Sequence, residues 1–241
     1  MDLNSNSWNI HLKNISKLGV KARQRKIKKD LLDGEKILKN KLKSKEFTLI
    51  LARLCGYIMG DGSIIHGKER NRNAIHYDIR FYPDDLDMAK IYIDSFEKIY
   101  SKRPSLKELK NHFRVSVSSR LAVEHLNSIS RFGTMDWKVP FGLLIDDEHV
   151  CEFLRAFFDC EAYVGKNKID VQSVNKEGLE SVAKLLEILG INTRFYSYER
   201  KQKNWNTNYI LVISRKENII KYANLIGFNH SAKSDKLAGI A

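Results

Sequence analysis

The sequence predicts an α+β protein made of two pseudo-symmetric αββαββα repeats, with the opening helices of the two repeats paired at the centre. Three observations carry that reading. Leu54-Cys55-Gly56-Tyr57-Ile58-Met59-Gly60-Asp61-Gly62 is echoed one hundred positions later by Leu154-Arg155-Ala156-Phe157-Phe158-Asp159-Cys160-Glu161-Ala162, an apolar run of helical character ending in a carboxylate both times. The order of patterned segments after each run is the same. Finally, Val117-Ser118-Ser119-Arg120 before one helix is matched by Val212-Ile213-Ser214-Arg215 before another.

Along the chain, residues 1–46 read as a basic extension, 47–130 as the first repeat, 131–146 as a linker around Lys138-Val139-Pro140, and 147–241 as the second repeat. Residues 11–45 hold thirteen Lys or Arg against Asp30, Asp33 and Glu35, with Leu18, Ile27, Leu31, Leu38 and Leu42 at roughly helical intervals. That pattern suits either a helix lying along phosphates or a solvated basic arm. In the first repeat, strands are expected over 62–67 and 76–82. Pro83-Asp84-Asp85 then starts a helix over 86–100, strands follow at 104–110 and 111–118, and a helix covers 121–129. From residue 147 the order recurs: helix, strands around Val164 and over 169–174, helix over 177–189, strands over 192–200 and 208–214, and a closing helix over 217–226.

Composition narrows the function classes. A formal charge of +13 and a sequence pI near 9.5 point to a polyanionic partner, with nucleic acid ahead of a membrane surface. The apolar content of 43% is ample for a folded core. The opening Met1-Asp2-Leu3-Asn4 has no basic start leading into an apolar stretch, and Cys55, Cys151 and Cys160 lack CxxC spacing. The expectation is an intracellular protein with reduced core thiols. Seven histidines form no HxxxH or HExxH pair.

The echoed runs suggest a shared site. Gly56 and Gly60 stand four apart, as do Ala156 and Cys160, so each pair lies on one helix face. Small side chains there let two helix backbones approach closely. Arg53 and Arg155 interrupt runs far shorter than the roughly 20 residues a membrane span needs. Parallel packing brings Asp61 and Glu161 out together at one end, where a hard, oxygen-seeking cation such as Mg2+ relieves their repulsion. Asp159 faces only Met59 in the alignment and reads as a helix-end residue. Glycine after a helix commonly supplies positive φ, which Ala162 resists, so the two helix exits are expected to differ.

Both runs resemble the signature of the LAGLIDADG homing endonucleases, the first closely and the second more loosely. The resemblance implies a pseudo-twofold monomer whose antiparallel sheets form a DNA-binding saddle. It also implies Mg2+ or Mn2+ held by Asp61 and Glu161 with help from the carbonyls of Gly60 and Cys160. Both strands of a long asymmetric duplex target would be cut across the minor groove. Basic residues organise solvent in that family, and Arg120 and Arg215, at equivalent places in the repeats, are the matching candidates, with Lys166 a third. Alternatives on the same fold are an RNA maturase acting on intron RNA and a DNA-binding protein that does not cut. The starting methionine and the lack of recognisable splicing domains favour an intron-encoded or free-standing protein over an intein-embedded one.

Strand residues alternate between faces. His76, Asp78, Arg80 and Tyr82 share one face, Arg114 joins it on the fourth strand, and Asp170 with Gln172, then Arg194, Tyr196, Tyr198 and Arg200, repeat the pattern in the second half. Such a face suits base edges in a major groove. The loops carrying Arg70 and Arg72, and Lys201, Lys203 and Trp205, suit the edges of a footprint.

Overall fold

The structure is a computed structural model that describes residues 3–68, 75–199 and 206–241, with side chains from residue 18 onward. The chain divides into two units, Met1–Lys41 and Leu42–Ala241. The first is one helix, α1 (Leu3–Lys41), so the basic segment is helical and not an irregular arm. Leu18, Ile27, Leu32 and Ile37 are exposed on it among the lysines.

The second unit runs α2 (Lys45–Asp61), β1 (Gly62–Lys68), β2 (Ile75–Phe81), α3 (Leu86–Tyr100), β3 (Ser105–Glu108), β4 (Phe113–Ser118) and α4 (Arg120–Ile129). It continues with α5 (Asp147–Glu161), β5 (Ala162–Val164), β6 (Lys168–Ser173), α6 (Lys176–Ile188), β7 (Thr193–Tyr198), β8 (Asn208–Ser214), α7 (Lys216–Leu225) and α8 (Ser231–Ala238). Two four-stranded antiparallel sheets result, ordered β1-β2-β4-β3 and β5-β6-β8-β7, the same topology twice. Among the described residues, no helix is long and apolar enough to cross a membrane.

Helix starts follow their caps. Asp85 accepts from the amides of Asp87 (2.8 Å) and Met88 (3.0 Å), Asp146 from His149 N, and Asn175 from Gly178 N. α3 then buries Met88, Ala89, Tyr92, Ile93, Phe96 and Ile99 at helical spacing. The rings of Tyr57, Phe81 and Tyr92 fill the first half, with Phe81 and Tyr92 4.6 Å apart. Phe157, Phe158 and Tyr222 fill the second.

α2 lies directly against α5. A Cβ on Gly56 would stand 2.4 Å from the Phe153 carbonyl oxygen, and one on Gly60 would stand 2.4 Å from Cys160 Cβ. The glycines are thus required by backbone proximity. Polar links reinforce the pair away from its acidic end. Thr48 Oγ1 shares a 2.8 Å hydrogen bond with His149 Nε2, and His149 Nδ1 donates to Asp146 at 2.6 Å. Glu152 accepts from Arg53 and Arg155, each at 2.6 Å.

Three expectations are corrected. The helix exits are alike: Gly62 (φ −106°) and Ala162 (φ −81°) are both extended, and a Cβ on Gly62 would come 2.5 Å from Ile58 Cα. Glycine is there for space and not for positive φ. Asp170, placed by alternation on the polar face, is only 3% exposed and pairs with Lys168 Nζ at 2.7 Å. Helix α8 was not anticipated, because its sequence is polar and Leu237 alone is buried.

Gly56→Ala should destabilise the protein by about 1–3 kcal/mol, the usual cost of overpacking. The loss should exceed that from Gly60→Ala, because backbone blocks the first site and a cysteine side chain the second. Urea midpoints at constant slope check the order, and equal or negligible shifts would contradict backbone contact.

Candidate active site

Asp61 and Glu161 are the last residues of α2 and α5, and each is followed at once by the first strand of its sheet. The contact of Gly60 with Cys160 fixes the two helix ends side by side, with Glu161 Cγ 3.7 Å from where a Gly60 Cβ would sit. Both carboxyls are half-buried. Burial, followed by the charge of Asp61, pushes Glu161 up to about 7, while Lys233 pulls the other way. Burial also raises Asp61, opposed by Lys233 and reinforced by Asp84. A cavity of about 290 Å3 opens beside Glu161, lined also by Gly60, Thr134, Trp137, Gln172 and Asn208. Asn208 Nδ2 donates to Gln172 Oε1 at 2.8 Å, so a joined pair of amides shares the cavity with the acid.

Lys233, on the helix missed from sequence, supplies the local cation. Its Nζ donates to the carbonyls of Asp159 (2.5 Å) and Cys160 (3.0 Å). Asp159 is the anchor that holds this helix in place. Fully buried, it accepts from Asn229 N (2.8 Å), His230 N (3.0 Å) and the Tyr57 hydroxyl (3.3 Å). Asp85, from the first half, accepts from the Ser231 hydroxyl at 2.8 Å. The start of α8 is therefore pinned from both repeats. Asp159 is a structural acceptor, in keeping with its reading as a non-catalytic residue.

The donor set suits a hard divalent cation. Two repelling carboxylates, one held near neutrality by burial, sit at the end of two helices with the Gly60 carbonyl in the same turn. The Cys160 carbonyl, expected as a ligand, accepts from Lys233 Nζ and keeps a second lone pair. Among the described residues, no cluster of three His, Cys, Asp or Glu side chains forms a ready metal cage. Any ion would be completed by carbonyls, water or substrate oxygens.

Register places the other expected residues. Gly62 pairs with Phe81 and Phe81 with Val115, while Ala162 pairs with Val171 and Val171 with Leu211, so these rungs lie at the acid end of each sheet. Arg120 follows Ser118 at the opposite end, paired with Glu124 at 2.8 Å and 5.6 Å over the Tyr77 ring. Arg215 lies four residues beyond Leu211, ~13 Å along a strand. Lys166 occupies the turn at that same end. The structure does not bring Arg120, Arg215 or Lys166 to the acid pair, although the two arginines do occupy equivalent places.

Asp78, Arg80 and Arg114 line one shallow pocket with Ser105 and Ser116, and His76 lies 3.8 Å from Asp78. Tyr82 donates its amide to the Asp61 carbonyl at 3.0 Å, tying its strand to the site. Gln172, Arg194, Tyr196 and Tyr198 are exposed on the second sheet. Arg70, Arg72, Arg200, Lys201, Lys203 and Trp205 lie outside the described residues.

Residues 148–227 match the model of the LAGLIDADG-like domain. The second repeat thus carries a LAGLIDADG-like domain. The LAGLIDADG fold of the whole second unit agrees with this: the homing endonuclease I-DmoI, in a structure with DNA and Mn, matches with a TM-score of 0.60 at 18% identity, over 75% of this chain and 97% of that one. The replication factor C small subunit of Methanocaldococcus jannaschii is 31% identical over 198 residues, which are 79% of this chain and 10% of that protein. The glutamine–fructose-6-phosphate aminotransferase of the same organism is 25% identical over 197 residues, 79% of this chain and 17% of that protein. The chain thus spans less than a fifth of the length of these curated relatives.

The raised Glu161 carboxyl carries a stability cost. Below its ordinary value of 4.5 the group is protonated whether folded or unfolded and costs nothing. As pH rises from 4.5 through about 7 the unfolded chain ionises first, so stability is lost across that window. Glu161→Gln should therefore stabilise the metal-free protein at pH 8 by about 1–3 kcal/mol and by much less at pH 5. Urea unfolding in EDTA at both pH values checks this, and an equal gain at each would refute it.

Proposed function

We propose that the protein is a divalent-metal-dependent endonuclease that recognises double-stranded DNA and hydrolyses one phosphodiester bond in each strand. The observation that carries the reading is the backbone contact of α2 and α5, which sets Asp61 and Glu161 side by side as a half-buried, mutually repelling pair. Such an arrangement destabilises the protein by itself, and a bound cation gives it a purpose. Asp61 and Glu161 would hold Mg2+ or Mn2+, with the Gly60 carbonyl assisting. Bound divalent ions would supply charge relief on the phosphate and a water nucleophile of lowered pKa.

The remaining roles belong to the chain's own residues. Lys233 sets a positive charge against the acid pair from the second-repeat side. The Asn208–Gln172 amide pair can orient water or a phosphate oxygen in the cavity beside Glu161. Arg80 and Arg114 on one sheet and Arg194, Tyr196 and Tyr198 on the other present the donor types that read base edges. One chain supplies both acids, so a monomer suffices, and its unequal halves suit an asymmetric target. The I-DmoI structure with DNA and Mn supports this chemistry by analogy of fold. Relatives with unrelated names that share this one segment support a module that moves between genomic sites.

The test uses duplexes spanning the junctions where this reading frame interrupts its locus. Intact protein with Mg2+ or Mn2+ should cut both strands, while Asp61→Asn and Glu161→Gln should leave them uncut. Independently of cleavage, either ion should raise the melting temperature of the intact protein but not of Asp61→Asn. Failure to cut any junction, coupled with tight binding of intron RNA, would favour a maturase and overturn the endonuclease.

A further inference from the structure

The C-terminal helix α8 has little apolar hold on the protein, since Leu237 alone is buried on it. Polar contacts at its start carry the attachment, and they reach both repeats. On the second-repeat side, Asp159 accepts from the amides of Asn229 and His230. On the first-repeat side, Asp85 divides its carboxylate between two tasks. Its Oδ1 caps α3 through the amides of Asp87 and Met88, while its Oδ2 accepts from the Ser231 hydroxyl at 2.8 Å.

The His230 side chain, 11% exposed, is wedged between the two aspartates that precede α3. Its Nε2 lies 3.4 Å from Asp84 Oδ1 and its Nδ1 lies 3.8 Å from Asp85 Oδ2. Nδ1 is buried without a hydrogen-bond partner among the described residues. A neutral imidazole has a single N–H, so one of its nitrogens must turn a lone pair toward a carboxylate. An imidazolium presents an N–H to each. Burial raises the Asp85 carboxyl, but the Met88 amide, the Ser231 hydroxyl and the charge of His230 bring it below the usual range. From α5, Asp159 meets the His230 backbone, and Lys233 stands one turn along α8 itself.

Lys233 is what this fastening positions. Its Nζ reaches the carbonyls that end α5, and its charge opposes the rise of both Asp61 and Glu161. We propose that α8 is a proton-operated strap: imidazolium His230 bridges Asp84 and Asp85 and holds Lys233 at the acid pair, and neutral His230 loosens that hold. Histidine changes charge between about pH 5 and 8. A histidine that gains carboxylate partners on folding contributes its stabilisation below that range and loses it as pH rises through it. The strap is therefore fastened in mildly acid solution and looser in mildly alkaline solution. The proposal rests on the fold and on neither cleavage nor DNA binding.

The test is amide hydrogen exchange of α8 in the metal-free full chain between about pH 5.5 and 8.5, corrected for intrinsic exchange and referenced to α6. Protection of α8 should fall about tenfold across that range, the scale of one charge-assisted contact. In His230→Gln it should be low and flat. Asp84→Asn, at an exposed side chain whose loss the fold tolerates, should shrink the fall by removing one of the two carboxylates. Glu161→Gln removes the other group that titrates in this range beside Lys233, and the fall should persist in it. No fall in the intact chain, or an equal fall in His230→Gln, would overturn the strap. So would an undiminished fall in Asp84→Asn, whether or not His230→Gln folds. A fall abolished by Glu161→Gln would show that the acid pair drives the change and would overturn the role of His230.

Discussion

Direct backbone contact between α2 and α5 is the constraint on which the rest of this structure depends. Two helices normally keep 8–10 Å between axes because side chains intervene. Here the space for a Cβ at Gly56 is already held by the Phe153 carbonyl oxygen, and at Gly60 by Cys160 Cβ. The contact joins the cores of both repeats and delivers both terminal carboxylates to one place. It also explains the looser second signature. Where one helix lacks a Cβ, the facing helix keeps a small one: Ala156 lies over Gly56 and Cys160 over Gly60. The second copy's departures from glycine are the complement of the first copy's glycines, and a chain with four small holes and no filling would pack less well.

The acid pair that this contact creates is electrostatically unfavourable, and the surroundings offset it in separate ways. Lys233 contributes a counter-charge at the carbonyls of α5, and its helix is held by Asp159 of one repeat and Asp85 of the other. Buried Asp159 collects two backbone amides and a tyrosine hydroxyl, and with Lys233 these offset part of the burial that raises its carboxyl. Carboxylates two positions apart in sequence thus sit in different surroundings. Asp159 accepts from several donors, while Glu161 is raised by burial and by the charge of Asp61.

Much of the fold was legible because it is written twice. Apolar periodicity located α3 (Leu86–Tyr100) and β8 (Asn208–Ser214) to the residue, and the shared register of the two signature runs foretold the helix pair. Asp61 and Glu161 were legible for the same reason. Lys233 was not, since Ser231–Ala238 has almost no apolar periodicity and is held by capping and hydrogen bonds to distant aspartates. Nor could spacing tell which end of a sheet a residue occupies. The equivalence of Arg120 and Arg215 was correctly read, but strand direction carries both away from the acids. Asp170 keeps its place on the face it shares with Lys168 and Gln172 but is buried there, paired with Lys168.

The polar links along the helix pair clarify how a repulsive site can be tolerated at all. Asp146, His149 and Thr48 form a hydrogen-bonded chain at the end remote from the acids, and Arg53, Glu152 and Arg155 form another one turn nearer. Each joins α2 to α5, the first through buried His149 and the second through the part-buried Arg53, Glu152 and Arg155, where charge-assisted hydrogen bonds are stronger than at a surface. Their geometry also fixes axial register: a slide of one helix along the other would break both at once, along with the fit of Ala156 and Cys160 over the glycines. Repulsion between Asp61 and Glu161 can therefore be relieved by binding a proton or a cation, but not by the helices drifting apart. The frame holding these two like charges cannot yield, so their repulsion persists until something positive meets it.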